Sequence, residues 1–386
     1  MRLTRVLAVL GILVAPGLAL AATDPAYIVV DAGTGMVLTE HDSGDLRFPA
    51  SVTKLMTAYV AFSALKSGKL KLTSPVTVSA NALAEPPSKM GFKVGTVMTL
   101  DNALKMMIVH SANDIAVAVA ETVSGGSESR FIAQMNATAR ALGMNSTRYV
   151  NPNGLPDDSH VTTARDLAVL SRALWNDFPE YRDYFRIPAI KAGRRVLRSQ
   201  NTLLERYRGS NGLKTGFTCA AGYNIVASAT RSGRTLIAVV LGADTSTGRA
   251  ELAARLLNQG FNGFFPGFTP AGLAGFRSAA ARGTAPNYHD DVCKRRKLLE
   301  EDDSADIGDS ALGPPVPTMA PVVVRTGLAD SSTTPAAPGT VPATGTPKAT
   351  GIPLPRLRPP YRAGADKAPP SFDQRFDPGH DRLSLR

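Results

Sequence analysis

Between residues 25 and 265, apolar residues recur at helix or strand spacing, whereas after residue 266 this periodicity stops. Apolar repeats at i, i+3 and i+4 are typical of helices, and short apolar runs bounded by glycine are typical of strands. Helices are predicted over the run that Ser51 begins and Gly68 ends, and over 100–109, 112–123, 128–142, 163–175 and 247–261. Strands are predicted over 27–30, 36–39, 214–218, 223–230 and 235–241.

The order of these elements predicts the fold class. A hairpin comes first, helices fill the middle, and strands and a final helix come last. Such an order indicates an α+β domain over residues 25–265, with a central antiparallel sheet built from both ends of the sequence and flanked by helices.

Residues 266–386 differ from the rest in composition. They hold about two thirds of the 28 prolines together with many Ala, Gly, Thr and Ser residues, and 315–360 approaches low complexity. A chain of this kind buries too little apolar area to offset the entropy of ordering it. We therefore expect a largely disordered tail, which could hold one short helix near 292–301.

The first 21 residues have the pattern of a secretory signal peptide. Arg2 and Arg5 precede an apolar run over 6–20, and small residues at 19 and 21 suit cleavage near Ala21. The apolar run is shorter than the ~20 residues that span a bilayer, which favours a cleaved signal over a membrane anchor. We expect an exported protein in the periplasm or cell envelope, with its membrane association left open.

Cysteines, metal motifs and charge narrow the function classes. Cys219 and Cys293 could pair in a secreted protein, but Cys293 falls in the tail predicted to be disordered, so we expect no disulfide. Without His-Glu-x-x-His or Cys-x-x-Cys, no metal site and no cofactor is predicted. The net charge of +11 suits anionic envelope polymers or lipid head groups. Nucleic acid is not an expected partner, because basic and aromatic residues do not interleave.

Ser51 and Lys54 form the first candidate motif, Ser-x-x-Lys, at a predicted helix start. Residues three apart share one helix face, so a neutral Lys54 could take the proton of a nucleophilic Ser51. The helix N-terminus would stabilise a developing oxyanion. Ser63 and Lys66 match the same pattern, but they fall late in the helix, where a solvated helix end is the simpler interpretation.

Ser111 and Asn113 form the second motif, Ser-x-Asn, before a predicted helix. Either residue could simply cap that helix, and Ser199 and Asn201 have the same spacing. In a catalytic interpretation, Ser111 relays a proton between Lys54 and the leaving group, and Asn113 donates its amide to a substrate carbonyl.

Lys214, Thr215 and Gly216 form the third motif on a predicted strand. Lys214 would bind a substrate carboxylate and lower the pKa of Lys54, and Thr215 would donate its hydroxyl to that carboxylate. Gly216 would let a substrate backbone lie against the strand. The alternative for the triplet alone is a lysine on a solvated edge strand.

Ser-x-x-Lys, Ser-x-Asn and Lys-Thr-Gly in this order are typical of penicillin-binding proteins and class A β-lactamases. With Asn-Pro-Asn-Gly at 151–154 and Ala-Gly-Tyr-Asn at 221–224, residues 25–265 resemble the low-molecular-mass penicillin-binding proteins, the serine-type D-alanyl-D-alanine carboxypeptidases of peptidase family S11. The resemblance implies a β-lactamase/transpeptidase-like fold and a role in cell-wall biogenesis and cell shape.

The resemblance also implies roles for individual residues. Ser51 is the expected nucleophile, Lys54 its base and Ser111 the relay, and the backbone N–H groups of Ser51 and Phe217 form the oxyanion hole. Asn113, Lys214, Thr215, Gly216 and Phe217 are the expected substrate-binding residues.

The implied reaction removes the terminal D-Ala from peptidoglycan stem peptides, and β-lactam antibiotics would act as covalent inhibitors. Two alternatives remain: a D,D-endopeptidase that cuts cross-links, and an inactive wall-binding protein. A β-lactamase is less well supported, because the loop over 151–158 supplies Asp157 and Asp158 but no glutamate.

Two features depart from the family pattern. Phe217 stands where many members have histidine, and this change should affect the pH profile or the substrate choice rather than abolish catalysis. The tail shows no second β-rich domain, and prolines within 353–360 interrupt any amphipathic membrane helix.

Overall fold

The computed structural model describes residues 24–263, 271–274, 276, 284–294 and 310–328. The strands are β1 Ala26–Asp31, β2 Met36–His41, β3 Pro75–Thr77, β4 Val97–Thr99, β5 Ala189–Ala192, β6 Arg195–Arg198, β7 Ser210–Thr218, β8 Gly222–Arg231, β9 Arg234–Ala243, β10 Ala271–Gly272 and β11 Val322–Val324. The α-helices are α1 Lys54–Lys66, α2 Ala80–Ala84, α3 Leu100–Val109, α4 Asn113–Val123, α5 Glu128–Leu142, α6 Ala164–Asp177, α7 Leu203–Arg206 and α8 Ser246–Asn262. Shorter turns are 3₁₀ at Ala50–Thr53 and Pro179–Arg186 and π-helical at Asp290–Lys294.

The main sheet has six antiparallel strands in the order β10-β2-β1-β9-β8-β7. The N-terminal hairpin therefore pairs with strands from the end of the domain through β1 and β9. This arrangement confirms the prediction of an α+β fold with a sheet built from both ends of the sequence.

Side chains alternate between the two faces of this sheet along each strand, and both faces are covered. On β9, Ile237 and Val239 join the large core that contains α1 and α3 to α6, whereas Ala238 and Val240 pack with α8 on the opposite face. Helix α1 lies in the large core and is buried on nearly every side. The start of α1 is therefore anchored in the buried core.

The predicted elements correspond closely to the observed ones, with one correction at the site. The helix that was predicted to begin at Ser51 is preceded by the 3₁₀ turn Ala50–Thr53, which contains Ser51, and the α-helix starts only at Lys54. The short hairpins β3–β4 and β5–β6 and the helices α2 and α7 were not predicted, because three to five residues carry too little periodicity.

Parts of the region predicted to be disordered pack on the domain. Strand β10 pairs with β2, and β11 pairs in parallel with β5 through Val322 and Ile190. The predicted helix over 292–301 begins as the π-helical turn Asp290–Lys294, and its remainder lies outside the described residues. The predicted signal peptide and the other tail segments also lie outside them. Among the described residues, no helix has the length and apolar character needed to cross a membrane.

Candidate active site

Ser51 and Lys54 meet at the junction between the 3₁₀ turn and α1. Lys54 Nζ lies 2.9 Å from Ser51 Oγ. It also lies 2.7 Å from Asn113 Oδ1 and 2.6 Å from the carbonyl oxygen of Asn153. The predicted base thus contacts the predicted nucleophile.

Burial lowers the pKa of Lys54. Its side chain is 1% exposed, and burial followed by the charge of Lys214 lowers its pKa well below the usual value, against the opposing effect of Glu85 and Asp114. Carbonyl oxygens only accept hydrogen bonds, so a neutral amine can donate to Asn113 and Asn153 and accept the hydroxyl hydrogen of Ser51. A neutral Lys54 is therefore fully hydrogen-bonded and oriented as a base.

The backbone of the loop over 151–155 packs against the Ser51 turn. Gly154 has φ +87°, and a Cβ atom there would lie 1.9 Å from the Ala50 carbonyl oxygen. The Gly154 N–H donates to Asn151 Oδ1 at 2.7 Å. This close backbone approach places the Asn153 carbonyl against Lys54.

The Ser-x-Asn motif spans the junction of α3 and α4, with Ser111 in the connection and Asn113 as the first residue of α4. Its hydrogen bonds differ from the prediction. Ser111 has φ +63°, and its Oγ accepts a hydrogen bond from Lys214 Nζ at 2.9 Å. We predicted that Ser111 bridges from Lys54, whereas within the described residues Lys54 bonds to Asn113. Asn113 Nδ2 donates to the Pro86 carbonyl oxygen at 2.9 Å and has a second N–H for a ligand.

Lys214 lies on β7, the edge strand that packs against the Ser51 turn, but its side chain is not solvated. Its side chain is 4% exposed, and Nζ donates to Ser111 and to the Thr215 carbonyl oxygen. Burial and the nearby Arg249 lower its pKa to about 7. The charged and neutral forms of the Lys214 amine are therefore similar in free energy near pH 7, and a bound anion would favour the charged form.

Arg249 on α8 is a site residue that the sequence analysis missed. It is buried behind β7 and donates to the carbonyl oxygens of Gly216 at 3.1 Å and Asn224 at 3.3 Å. Burial lowers its pKa to about 10, so it remains a cation. It fixes the strand and supplies positive potential, yet a single arginine in a helix has no distinctive sequence pattern.

Gly216 has a different neighbour from the one we predicted. A Cβ atom there would lie 2.9 Å from the Pro49 carbonyl oxygen and 3.0 Å from Ser51 N. The missing side chain thus lets β7 pack against the Ser51 turn. Asn224 completes this contact, because its Nδ2 donates to the Phe48 and Pro49 carbonyl oxygens.

Phe217 and Thr215 occupy the alternate positions of β7. The Phe217 ring stacks on Tyr223 with centroids 4.2 Å apart. Thr215 is buried and pairs with Ile225 on β8. The phenyl ring at position 217 is therefore held by an aromatic neighbour on β8.

A disulfide joins Cys219 to Cys293, so the prediction of unpaired cysteines was wrong. Cys219 follows β7 directly, and Tyr288 N donates to the Ala220 carbonyl oxygen at 3.0 Å. Asn287 lines a cavity with Ala50, Pro156 and Thr218. The composition of the tail as a whole concealed that residues 284–294, hereafter the tail strap, pack beside the site.

The chain was compared with a model of a known protein family. The family model for D-alanyl-D-alanine carboxypeptidase matches residues 16–245, more than half of the chain. The chain belongs to this family.

Individual relatives agree with that assignment. D-alanyl-D-alanine carboxypeptidase DacC of Escherichia coli is 39% identical over 252 residues, covering 64% of this chain and 62% of DacC. DacA of E. coli is 37% identical over 245 residues, covering 62% of this chain and 60% of DacA. The chain thus spans less than two thirds of the length of these relatives.

Solved structures agree on the transpeptidase-like fold. Penicillin-binding protein 5 of Haemophilus influenzae has a TM-score of 0.59 at 34% identity, covering 64% of this chain and 73% of that one. Penicillin-binding protein D2 of Listeria monocytogenes, in its cefotaxime-bound form, has a TM-score of 0.56 at 31% identity, covering 64% of this chain and all of that one.

Proposed function

We propose that the protein is a serine-type D-alanyl-D-alanine carboxypeptidase that removes the terminal D-Ala from peptidoglycan stem peptides. The observation that carries this proposal is Lys54, buried with two carbonyl acceptors and the Ser51 hydroxyl around its Nζ. Membership of the D-alanyl-D-alanine carboxypeptidase family supports the substrate class.

In the acylation step, Lys54 takes the proton of Ser51, and Oγ attacks the carbonyl carbon of the penultimate D-Ala. The backbone N–H groups of Ser51 and Phe217 stabilise the oxyanion, and each donor of this kind contributes roughly 10²–10³-fold. The bond to the terminal D-Ala breaks, and its amine receives the proton that Lys54 took from Ser51. Ser111, the predicted relay, contacts Lys214 rather than Lys54. Water then hydrolyses the acyl-enzyme.

Lys214 gives the reaction its preference for a terminal carboxylate. A carboxylate beside Nζ offsets the burial of the charge and raises the pKa of Lys214 from about 7. Asn113 donates its remaining N–H to a substrate carbonyl, and Thr215 donates to the carboxylate. A β-lactam carries a carboxylate beside a reactive amide, so it should acylate Ser51 in the same way.

The reaction is tested with diacetyl-Lys-D-Ala-D-Ala. Wild-type protein should release D-Ala, and Ser51→Ala should lose this activity by at least about 10⁴-fold. Absence of D-Ala release by the wild type would refute the proposal. Conversion of cross-linked muropeptide dimers to monomers, without release of D-Ala from the peptide, would instead identify an endopeptidase.

A further inference from the structure

The tail strap is fixed beside the end of β7 by several contacts. The disulfide between Cys219 and Cys293 joins it to the first residue after β7. Tyr288 N donates to the Ala220 carbonyl oxygen at 3.0 Å, and the side chain of Val292 is buried. The strap is therefore held against the turn that connects β7 to β8, although it lies outside residues 16–245 that match the family model.

A glycine on β9 makes room for the strap. Gly242 has φ +86°, and a Cβ atom there would lie 2.7 Å from Cε2 of Tyr288. The Tyr288 carbonyl oxygen accepts from Val292 N at 2.9 Å, which closes one helical turn within the strap. The aromatic ring thus occupies space that a side chain at position 242 would fill, so the strap has a defined position on the sheet.

Asn287 of the strap lines a cavity together with residues next to the nucleophile. The lining includes Ala50, which precedes Ser51, and Thr218, the last residue of β7. The cavity volume is about 40 Å³, which suits a polar group of a few atoms. Asn287 Oδ1 accepts from His289 N at 3.0 Å, and within the described residues its Nδ2 donates to no acceptor. The strap therefore presents an amide donor that a ligand can use.

The proposed binding mode directs the rest of the substrate toward this cavity. The terminal carboxylate binds at Lys214 and Thr215, and the attacked carbonyl lies at the N–H of Phe217. These positions advance toward the C-terminal end of β7. An extended peptide advances about 3.3 Å per residue, so the substrate residue that precedes D-Ala-D-Ala lies level with Thr218.

The charge of the cavity indicates the kind of side chain that it takes. Among the described residues that line it are the carboxylates of Asp157 and Asp158, but no lysine or arginine. Burial lowers the pKa of His160, which also lines the cavity, to about 4, so this imidazole is neutral at pH 7. The cavity is therefore anionic in a chain whose net charge is +11. An ammonium group is attracted to such a site.

We propose that the tail strap completes a subsite for the substrate residue that precedes D-Ala-D-Ala. The Asn287 amide donates to a carbonyl oxygen of that residue, and Asp157 and Asp158 attract an amino group on its side chain. The disulfide holds the strap, and with it the amide, in place. This inference rests on the proposed function, and it adds binding residues that belong to none of the three motifs.

Three peptides separate this subsite from the catalytic residues. Acetyl-D-Ala-D-Ala ends before the subsite, diacetyl-Lys-D-Ala-D-Ala reaches it without a charge, and Nα-acetyl-Lys-D-Ala-D-Ala reaches it with a free side-chain amine. For the wild-type protein, kcat/KM for D-Ala release should rise in that order.

The strap is tested by the preference for diacetyl-Lys-D-Ala-D-Ala over acetyl-D-Ala-D-Ala. Asn287→Ala should reduce this ratio of kcat/KM values about fivefold, the value of a neutral hydrogen bond, mainly by raising KM for the longer peptide. The double variant Cys219→Ser/Cys293→Ser should reduce it at least as far, because the strap loses its covalent attachment. Asn262→Ala removes an exposed amide at the end of α8 and should keep the wild-type ratio.

The charge preference is tested by the two lysine peptides. The wild-type protein should favour the free amine about threefold to fivefold, as expected for partly solvated ion pairs. The double variant Asp157→Asn/Asp158→Asn should lose this preference, and asparagine at 157 keeps an Oδ1 acceptor for the Ser159 N–H. High salt should weaken the wild-type preference, because ions screen charges at the surface.

An unchanged ratio in both Asn287→Ala and the double cysteine variant would overturn the subsite. Equal losses on the long and short peptides would also overturn it, since the strap would then act on the structure alone. Equal wild-type rates for the two lysine peptides would overturn the role of the carboxylates. A wild-type protein that releases D-Ala from none of the three peptides would instead overturn the proposed function itself.

Discussion

The candidate site has a helix wall, around Lys54 at the start of α1, and a strand wall, around Lys214 on β7. The two lysines have different hydrogen-bond partners. On the helix wall, Lys54 has three partners among the described residues, and two of them can only accept. On the strand wall, Lys214 has two, Ser111 Oγ and the Thr215 carbonyl, so its ammonium retains donor capacity for a ligand. The comparison indicates that one lysine is saturated and oriented for proton transfer, whereas the other is prepared to bind a carboxylate.

The largest expected effect follows from removing the helix-wall amine. Lys54→Met should slow acylation by penicillin by roughly 10²–10⁴-fold, the usual contribution of a general base. The matched control is Lys66→Met, at the end of the same helix in the second Ser-x-x-Lys pattern, where Nζ is bonded to the Asp177 carbonyl oxygen. Equal labelling rates for the two variants would mean that Lys54 is not the base.

The next effect tests the contact between the walls. Gly216→Ala should reduce acylation by about 10²-fold, because a methyl group 2.9–3.1 Å from the backbone of the Ser51 turn must displace it. Gly272→Ala is the control, since no heavy atom of the described residues, apart from its chain neighbours, lies within 4 Å of its Cβ position. Stopped-flow labelling with fluorescent penicillin measures both, and an unaffected Gly216→Ala would show that the turn tolerates displacement.

Removal of the strand-wall charge should have a smaller effect and one specific to the ligand. Lys214→Gln should lower kcat/KM for a peptide with a terminal carboxylate by about 10–100-fold, the value of a charge-assisted hydrogen bond. The carboxamide analogue should lose much less. Loss of the Lys214 charge also raises the pKa of Lys54, so the acidic limb of the acylation profile should move to higher pH.

The pKa of about 7 for Lys214 predicts proton uptake on binding. Above pH 7 the free amine is mostly neutral, and a bound carboxylate favours the ammonium, so binding at pH 8 should take up about one proton. Calorimetry of Ser51→Ala with the D-Ala-D-Ala peptide, in two buffers of different ionisation enthalpy, measures the uptake. Binding without proton uptake would contradict the assigned role of Lys214.

The smallest effect concerns the departure from the family pattern. Phe217→His should change kcat/KM at pH 8 by only about twofold, because the ring stacks on Tyr223 and the oxyanion donor is a backbone N–H. A new pH dependence near the ordinary histidine pKa of ~6.5 should appear. A loss of tenfold or more would show that the phenyl ring itself contacts the substrate.

The sequence predicted the parts of the site that repeat a pattern. The Ser51–Lys54 spacing, the strand around Lys214 and the long helices all follow from local periodicity. Arg249 could not be found in this way, because its position depends on how α8 packs against β7. The tail strap was hidden for another reason: average composition describes a whole region and not the few residues that a disulfide fixes.

The most direct test of the account is to locate the covalent adduct of penicillin by intact-mass spectrometry and peptide mapping. The account predicts one penicilloyl group per chain, on the peptide that contains Ser51, and no adduct on Ser51→Ala. An adduct on another serine, or an unmodified wild-type protein, would contradict it.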